Sequence, residues 1–191
     1  MNNIKLIIFD LDGVLIQTKK LHYEALNEAL DEKYKITWEE HISKYDGLKT
    51  NQKLSILSAE KNFPVELHNI TWQKKQKNTF EKLKNISKNI QLIECLSNLE
   101  KDGYKIACCS NSIRKTVLST LEKLGIIQYF DLILSNEDVK NSKPHPEMYW
   151  KAMSMMSRLP EETLIVEDSP HGLLAASRSR ANVLRVNNSL D

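Results

Sequence analysis

The chain has 191 residues, 27% charged and 41% hydrophobic, a balance that fits a globular protein able to bury a real core. Its formal charge is only +2, and the small excess between residues 17 and 87, 13 Lys against 10 Asp and Glu, fits a solvated helical surface, so nucleic acid is not an expected partner. No apolar run approaches the ~18 residues of a membrane span, and the start leads straight into a strand-like segment without a charged leader and cleavable apolar stretch, so a cytoplasmic protein is expected.

The first element is the near-continuous apolar run Ile4–Phe9, of strand length. Residues 17–87 then contain no convincing strand. Leu21, Ala25, Ala29 and Leu30 share one helical face, Thr37 to Glu40 forms a capping-box pattern, and Thr50 starts a helix through Leu54 and Leu57. Trp72, Gln76, Thr79, Leu83 and Ile86 keep helical spacing on a long last helix of this stretch. Beyond it, strands and helices alternate. Leu92, Leu96 and Leu99 form a stripe stopped by Gly103, and Lys105–Cys109 reads as the second strand. Val117, Leu121 and Leu124 end at Gly125, a C′ glycine. Asp131–Leu134 is the third strand, and Tyr149, Ala152, Met153 and Met156 line a helix. Thr163–Val166 is the fourth strand, Ser169-Pro170 caps a helix, and Val183–Val186 is the last strand.

Continuously apolar strands are buried on both faces, which indicates a parallel sheet. The expected fold is therefore α/β: a doubly wound, Rossmann-like parallel sheet over 1–16 and 88–191, with an all-helical cap inserted at 17–87. Three cysteines without framework spacing exclude a disulfide scaffold, and Cys95, Cys108 and Cys109 are expected as reduced core or near-core residues. On a strand, Cys108 and Cys109 would face opposite sides.

A doubly wound fold binds its ligand beyond the carboxyl ends of its strands. Asp10 and Asp12 follow the first strand, Ser110 and Asn111 the second, and Glu167 and Asp168 the fourth; Lys143 lies in the loop after the third. Each short motif is weak alone, but together they put two carboxylate pairs, a hydroxyl and an ammonium group on one rim. A carboxylate can attack phosphorus and form an acyl phosphate, splitting one hard displacement into two easier ones. Carboxylate and phosphate repel, so a counter-charge is needed; hard oxygen ligands suit Mg²⁺, and His/Cys clusters for zinc are absent. Lys143 would add fixed positive charge, and the Ser110 hydroxyl could bond the equatorial phosphoryl oxygens or cap a helix. Glu167 could meet a metal-bound water or close the strand end.

The pattern FDLDGVL, then SNS, KPHPEMY and VEDS resembles the haloacid-dehalogenase-like hydrolase superfamily, within it the β-phosphoglucomutase-like phosphatases with a small helical cap. The resemblance covers nearly the whole chain, the core more than the cap. It implies Asp10 as nucleophile and Asp12 as general acid/base. It also implies Ser110 and Lys143 as phosphate ligands, and a Mg²⁺ site of Asp10, the Asp12 main-chain carbonyl and Asp168, joined in our reading by Glu167. Thr18 and His22 stand where family members contact the acid/base or the hinge, and Lys49, Thr50 and Lys53 where the cap meets substrate; Asn111 joins these as a candidate substrate contact. Thr50 takes the place of an arginine that sugar-phosphate mutases carry, and Gln17 that of a frequent aspartate. Arg180-Ala181-Asn182 departs from the usual Ala-Gly, which would strain the turn if its backbone takes a positive φ. The resulting expectation is a Mg²⁺-dependent phosphatase of a small phosphomonoester, acting as a monomer. A phosphosugar mutase and a non-catalytic binding module that keeps the fold are the alternatives.

Overall fold

The computed structural model describes residues 4–187. The chain divides into two compact units, Met1–Gln17 with Ile86–Asp191, and Thr18–Asn85. The first unit holds β1 (Leu6–Phe9) and the second holds the helices α1 (Lys19–Asn27), α2 (Trp38–Glu40), α3 (Thr50–Lys61) and α4 (His68–Leu83). The first unit resumes with α5 (Ile90–Lys101), β2 (Lys105–Cys109), α6 (Arg114–Leu124), β3 (Leu132–Leu134), α7 (Glu147–Met155), β4 (Thr163–Glu167), α8 (Pro170–Ser179) and β5 (Asn182–Arg185).

The five strands form one parallel sheet in the order β3-β2-β1-β4-β5, the expected doubly wound arrangement. Its apolar strands feed two cores. Leu6, Ile8, Ala107, Cys109 and Ile165 pack with Met148, Tyr149 and Ala152 of α7 and Ala175 and Ala176 of α8. On the other face Ile106 and Cys108 pack with Leu96 of α5 and Val117, Leu121 and Leu124 of α6. Cys108 and Cys109 thus point to opposite faces, as pleating requires. The expected ends of three helices also appear: Thr37 forms a capping box with Glu40, Ser169 accepts from the Gly172 N–H at 3.1 Å, and Gly125 caps α6 at φ +73°.

Three expectations need correction. Cys95 is exposed, because the packed face of α5 runs through Leu92, Ile93, Leu96 and Leu99, and Ile93 shifts its centre away from Cys95, which is left at the edge. Ile86 lies beyond the end of α4 and packs with the Leu96 core, so it is not on the last helix of the inserted stretch. The third strand begins at Leu132; Asp131 precedes it, with its carboxylate accepting from the Ile106 N–H at 2.9 Å and from Lys105 Nζ at 2.6 Å.

In the second unit Leu26, Leu30, Tyr34, Ile36, Tyr45, Leu54, Leu57 and Phe63 build a separate core. Among the described residues no helix is long and apolar enough to cross a membrane.

Arg180 takes the left-handed conformation, φ +67°, as C-cap of α8. A β-carbon there crowds the following carbonyl, so the turn is strained. Arg180→Gly is expected to raise unfolding stability by about 1 kcal/mol, read from a urea melt; the relief of strain exceeds the entropy cost of glycine.

Candidate active site

The parallel register brings the ends of β1, β2 and β4 side by side. Asp10 directly follows β1, and its N–H bonds the Val166 carbonyl at 3.0 Å, which fixes the first carboxylate beside the end of β4. Gly13 turns the chain at φ +93°, and its N–H bonds the Ile16 carbonyl at 2.7 Å. That turn also brings the backbone against Asp168: a Cβ on Gly13 would overlap the Asp168 carboxylate. Gly13 is therefore required twice, by conformation and by space.

At the centre lies a buried ion triad. Lys143 Nζ donates to Asp10 Oδ1 and to Glu167 Oε2, both at 2.7 Å. Tyr149 OH donates to the same Glu167 oxygen at 2.8 Å, and Lys143 Nζ stands 5.1 Å from the centre of the Tyr149 ring. The other oxygen, Oε1, accepts from the N–H groups of Asp168 and Ser169 and from the Ser169 hydroxyl. Glu167 thus satisfies two buried positive or polar neighbours on one oxygen and closes the strand-to-helix turn with the other. Space for it exists because residue 172 is glycine; a Cβ there would overlap the Glu167 carboxylate. Gly172→Ala is expected to displace Glu167, loosen Lys143 and lower the melting temperature by several degrees, read by calorimetry.

The electrostatics follow from two carboxylates sharing one ammonium. Burial pushes the Asp10 carboxyl well above the ordinary range, and the Glu167 charge adds to this against the pull of Lys143. Burial also opposes ionised Glu167, but the ion pair and hydrogen bond from Lys143 hold its carboxyl below the usual value. Burial alone would lower Lys143; Asp10 and Glu167 instead hold it well above the normal lysine range. One member of the triad is ionised at a cost that a further cation would remove.

The chain supplies a place for such a cation. Asp10, Glu167 and Asp168 are all buried and offer carboxylate oxygens that lie within 4.8 Å of one another. An all-oxygen donor set of this kind suits a hard divalent ion such as Mg²⁺. Glu167 also serves five donors of its own chain.

Asp12 stands across from the second strand's end. The Ser112 hydroxyl donates to Asp12 Oδ2 at 2.9 Å, and the Ser110 hydroxyl lies 3.5 Å from the same oxygen. Ser110 is not the cap of α6; that position is Ile113, without a side-chain cap bond. The Ser110 oxygen accepts instead from the Ser112 N–H at 3.0 Å, within the turn. Asn111 grips the backbone of Lys143 with both ends of its amide, Nδ2 to the carbonyl and Oδ1 from the N–H, each at 3.1 Å. It therefore holds the loop that carries Lys143.

The remaining expected residues belong to the helical unit. Thr18 and His22 are buried at the start of α1, and His22 Nδ1 is 3.3 Å from Lys75 Nζ. Lys49 is the half-buried N-cap residue of α3; Thr50 and Lys53 are buried on α3, and Thr50 Oγ1 accepts from Gln76 at 3.2 Å. Sequence reasoning passed over Ser112, Tyr149 and Gly172. Ser112 had a signal, as third residue of Ser-Asn-Ser, whereas Tyr149 read only as part of an apolar stripe.

The model of the haloacid dehalogenase-like hydrolase family matches residues 7–186. The chain belongs to that family. A phosphorylated carbohydrates phosphatase of Thermotoga maritima is 28% identical over 172 residues, covering 89% of this chain and 79% of its own length. Pyrophosphatase PpaX of Bacillus mycoides is 28% identical over 184 residues, covering 96% and 83%. Among solved structures, β-phosphoglucomutase of Clostridium difficile superposes with a TM-score of 0.86 at 25% identity, over 97% of this chain and 85% of that one. The chain is thus a haloacid dehalogenase-like hydrolase with the family's α/β fold.

Proposed function

We propose that this hydrolase is a Mg²⁺-dependent phosphatase that cleaves a small phosphomonoester through an aspartyl-phosphate on Asp10. The observation that carries the reading is the Asp10 carboxylate, bonded to Lys143 at 2.7 Å and grouped within 4.8 Å of Asp168 and Glu167. The phosphatases among its relatives support the reaction type.

In the first half-reaction an Asp10 oxygen attacks phosphorus and the bond to the leaving oxygen breaks. Asp12 gives that oxygen its proton. In the second, Asp12 takes a proton from water, which attacks phosphorus and frees Asp10 and phosphate. For the first half-reaction Asp12 must carry a proton while substrate is bound. The Ser112 hydroxyl, donating to Asp12 Oδ2, orients it for this exchange. Lys143 neutralises the phosphoryl oxygens and the nucleophile, and the Ser110 hydroxyl bonds an equatorial oxygen. Glu167, Tyr149 and Asn111 hold Lys143 in place. Asp10, Asp168 and the Asp12 carbonyl would hold Mg²⁺, with Glu167 beside them; bound there, the ion offsets the repulsion between carboxylate and phosphate dianion. Thr18, His22, Lys49, Thr50 and Lys53 would serve substrate selection from the helical unit.

Purified protein is expected to release phosphate from an aryl phosphate with Mg²⁺, to stop in EDTA and to recover when Mg²⁺ is restored. Undiminished turnover in EDTA would contradict the metal assignment. The similarity to a β-phosphoglucomutase favours a second reading, phosphosugar isomer exchange. Incubation with a sugar 1-phosphate separates the two: free phosphate marks the phosphatase, and the 6-phosphate isomer marks the mutase.

A further inference from the structure

The turn Ser110-Asn111-Ser112 carries two tasks at once. The Ser112 hydroxyl donates to Asp12 Oδ2 at 2.9 Å, and the Asn111 amide clamps the backbone of Lys143. A hydroxyl aims a carboxylate only as well as its own backbone is fixed, so whatever fixes Ser112 bears on Asp12. The Asn111 end of the turn is held by the Lys143 loop. The Ser112 end is held from elsewhere.

Its support comes from the segment beyond β3, the strand at the sheet's edge. Past the last paired residues the Ser110 N–H still reaches the Leu134 carbonyl at 3.0 Å. Asn136 then meets two carbonyls in succession. Its side-chain Nδ2 donates to the Asn111 carbonyl at 2.8 Å, and its N–H donates to the Ser112 carbonyl at 3.2 Å. The peptides before and after Ser112 are thereby both anchored, which fixes the direction of the bond from Cα to the hydroxyl. Asn136 is itself anchored. It opens a single helical turn, Asn136–Asp138, closed by a capping box in which Asp138 Oδ2 accepts from the Ser135 N–H at 2.8 Å and the Ser135 hydroxyl at 2.7 Å. Asp138 Oδ1 pairs with Arg114 at the start of α6, and the Asp138 carbonyl accepts from Lys151 Nζ of α7 at 2.6 Å. The segment that presses on the turn is thus tied to two helices as well as to β3.

We infer that Asn136 is a positioning residue for the acid/base: its side-chain amide holds the backbone of Ser112 so that the Ser112 hydroxyl stays aimed at Asp12. The inference rests on the phosphatase reading, in which Asp12 supplies the proton of the leaving oxygen. A residue that only closed the end of β3 would make the same bonds. The two roles differ in one respect: an aimed Asp12 matters most where the leaving oxygen needs a proton.

The test uses the full chain and Asn136→Leu, which keeps the volume and the main-chain bond and removes the Nδ2 donor. Asn136→Ser, polar but too short for the Asn111 carbonyl, takes its place should the first not fold by circular dichroism. With Mg²⁺ present, kcat/KM, which reports the first half-reaction, is measured for an alkyl phosphate and for a nitrophenyl phosphate. The alkyl leaving oxygen needs a proton, whereas the nitrophenyl oxygen departs as the anion. Loss of one hydrogen bond is expected to lower kcat/KM about tenfold for the alkyl phosphate and about threefold at most for the nitrophenyl phosphate. An equal loss for both, or no loss for either, overturns the inference, because a mere closure of the strand end would weaken both alike. Asp12→Asn, run beside it, reports on the phosphatase reading and should lose the alkyl phosphate selectively and far more strongly. Absence of that selectivity in Asp12→Asn takes down the phosphatase reading and this inference with it. Selectivity in Asp12→Asn but none in the Asn136 variant takes down the positioning role alone.

Discussion

Asp10→Asn is expected to lower kcat for any phosphomonoester by at least about 10⁴-fold, because an amide cannot form the acyl phosphate and nothing else on the rim stands where Asp10 does. The protein should nevertheless stay folded. Burial and the Glu167 charge already disfavour ionised Asp10, and a neutral amide of the same shape keeps a partner for Lys143 while removing that conflict. Unfolding stability should therefore hold or rise slightly while turnover disappears. Steady-state phosphate release and a urea melt on the same preparation read both halves. A variant that keeps a tenth of native kcat would remove Asp10 from the reaction.

Lys143→Met should have the second-largest effect, and in both measurements at once. The ammonium is buried between Asp10 and Glu167 at 2.7 Å from each. Removing it leaves two buried carboxylates facing one another, and loss of one partner from a buried ion pair costs about 3–5 kcal/mol. Turnover should fall below detection as well, since both the nucleophile and the phosphoryl oxygens lose their counter-charge. Adding Glu167→Gln should return part of the stability, because one of the two carboxylates that shared the ammonium is then neutral, but no activity. If Lys143→Met melts like the native chain, the triad is not what holds this rim together.

How far the rim was legible in the sequence depended on whether a residue's role is set by its strand position or by packing. Asp10, Ser110 and Asp168 follow apolar runs, and in a doubly wound sheet strand ends converge, so their proximity follows from topology. Lys143 was legible only as a loop residue in a family-like motif; its 133-residue reach to Asp10 is a tertiary fact. Tyr149 shows the limit most clearly. Its spacing fits an apolar helix stripe, and its ring does pack in the core, yet its hydroxyl ends on Glu167. Periodicity reports which face is buried and says nothing about where a polar tip inside that face will land. The same holds for Lys75 and Lys19, which look like members of a solvated lysine-rich surface and are buried. Gly172 and Gly13 are legible as glycines but not as gaps, because the residue types alone do not show that Glu167 folds onto the one and Asp168 onto the other. Arg180 runs the other way: the missing glycine pointed to strain, and the positive φ is there.

The most direct test of the covalent route is the stereochemical course at phosphorus, measured with an aryl phosphate made chiral by oxygen isotopes and hydrolysed in isotopically labelled water. Two successive in-line displacements, first by Asp10 and then by water, return phosphate with retained configuration. Inversion would mean that water attacks the substrate directly, and Asp10 would then be no nucleophile.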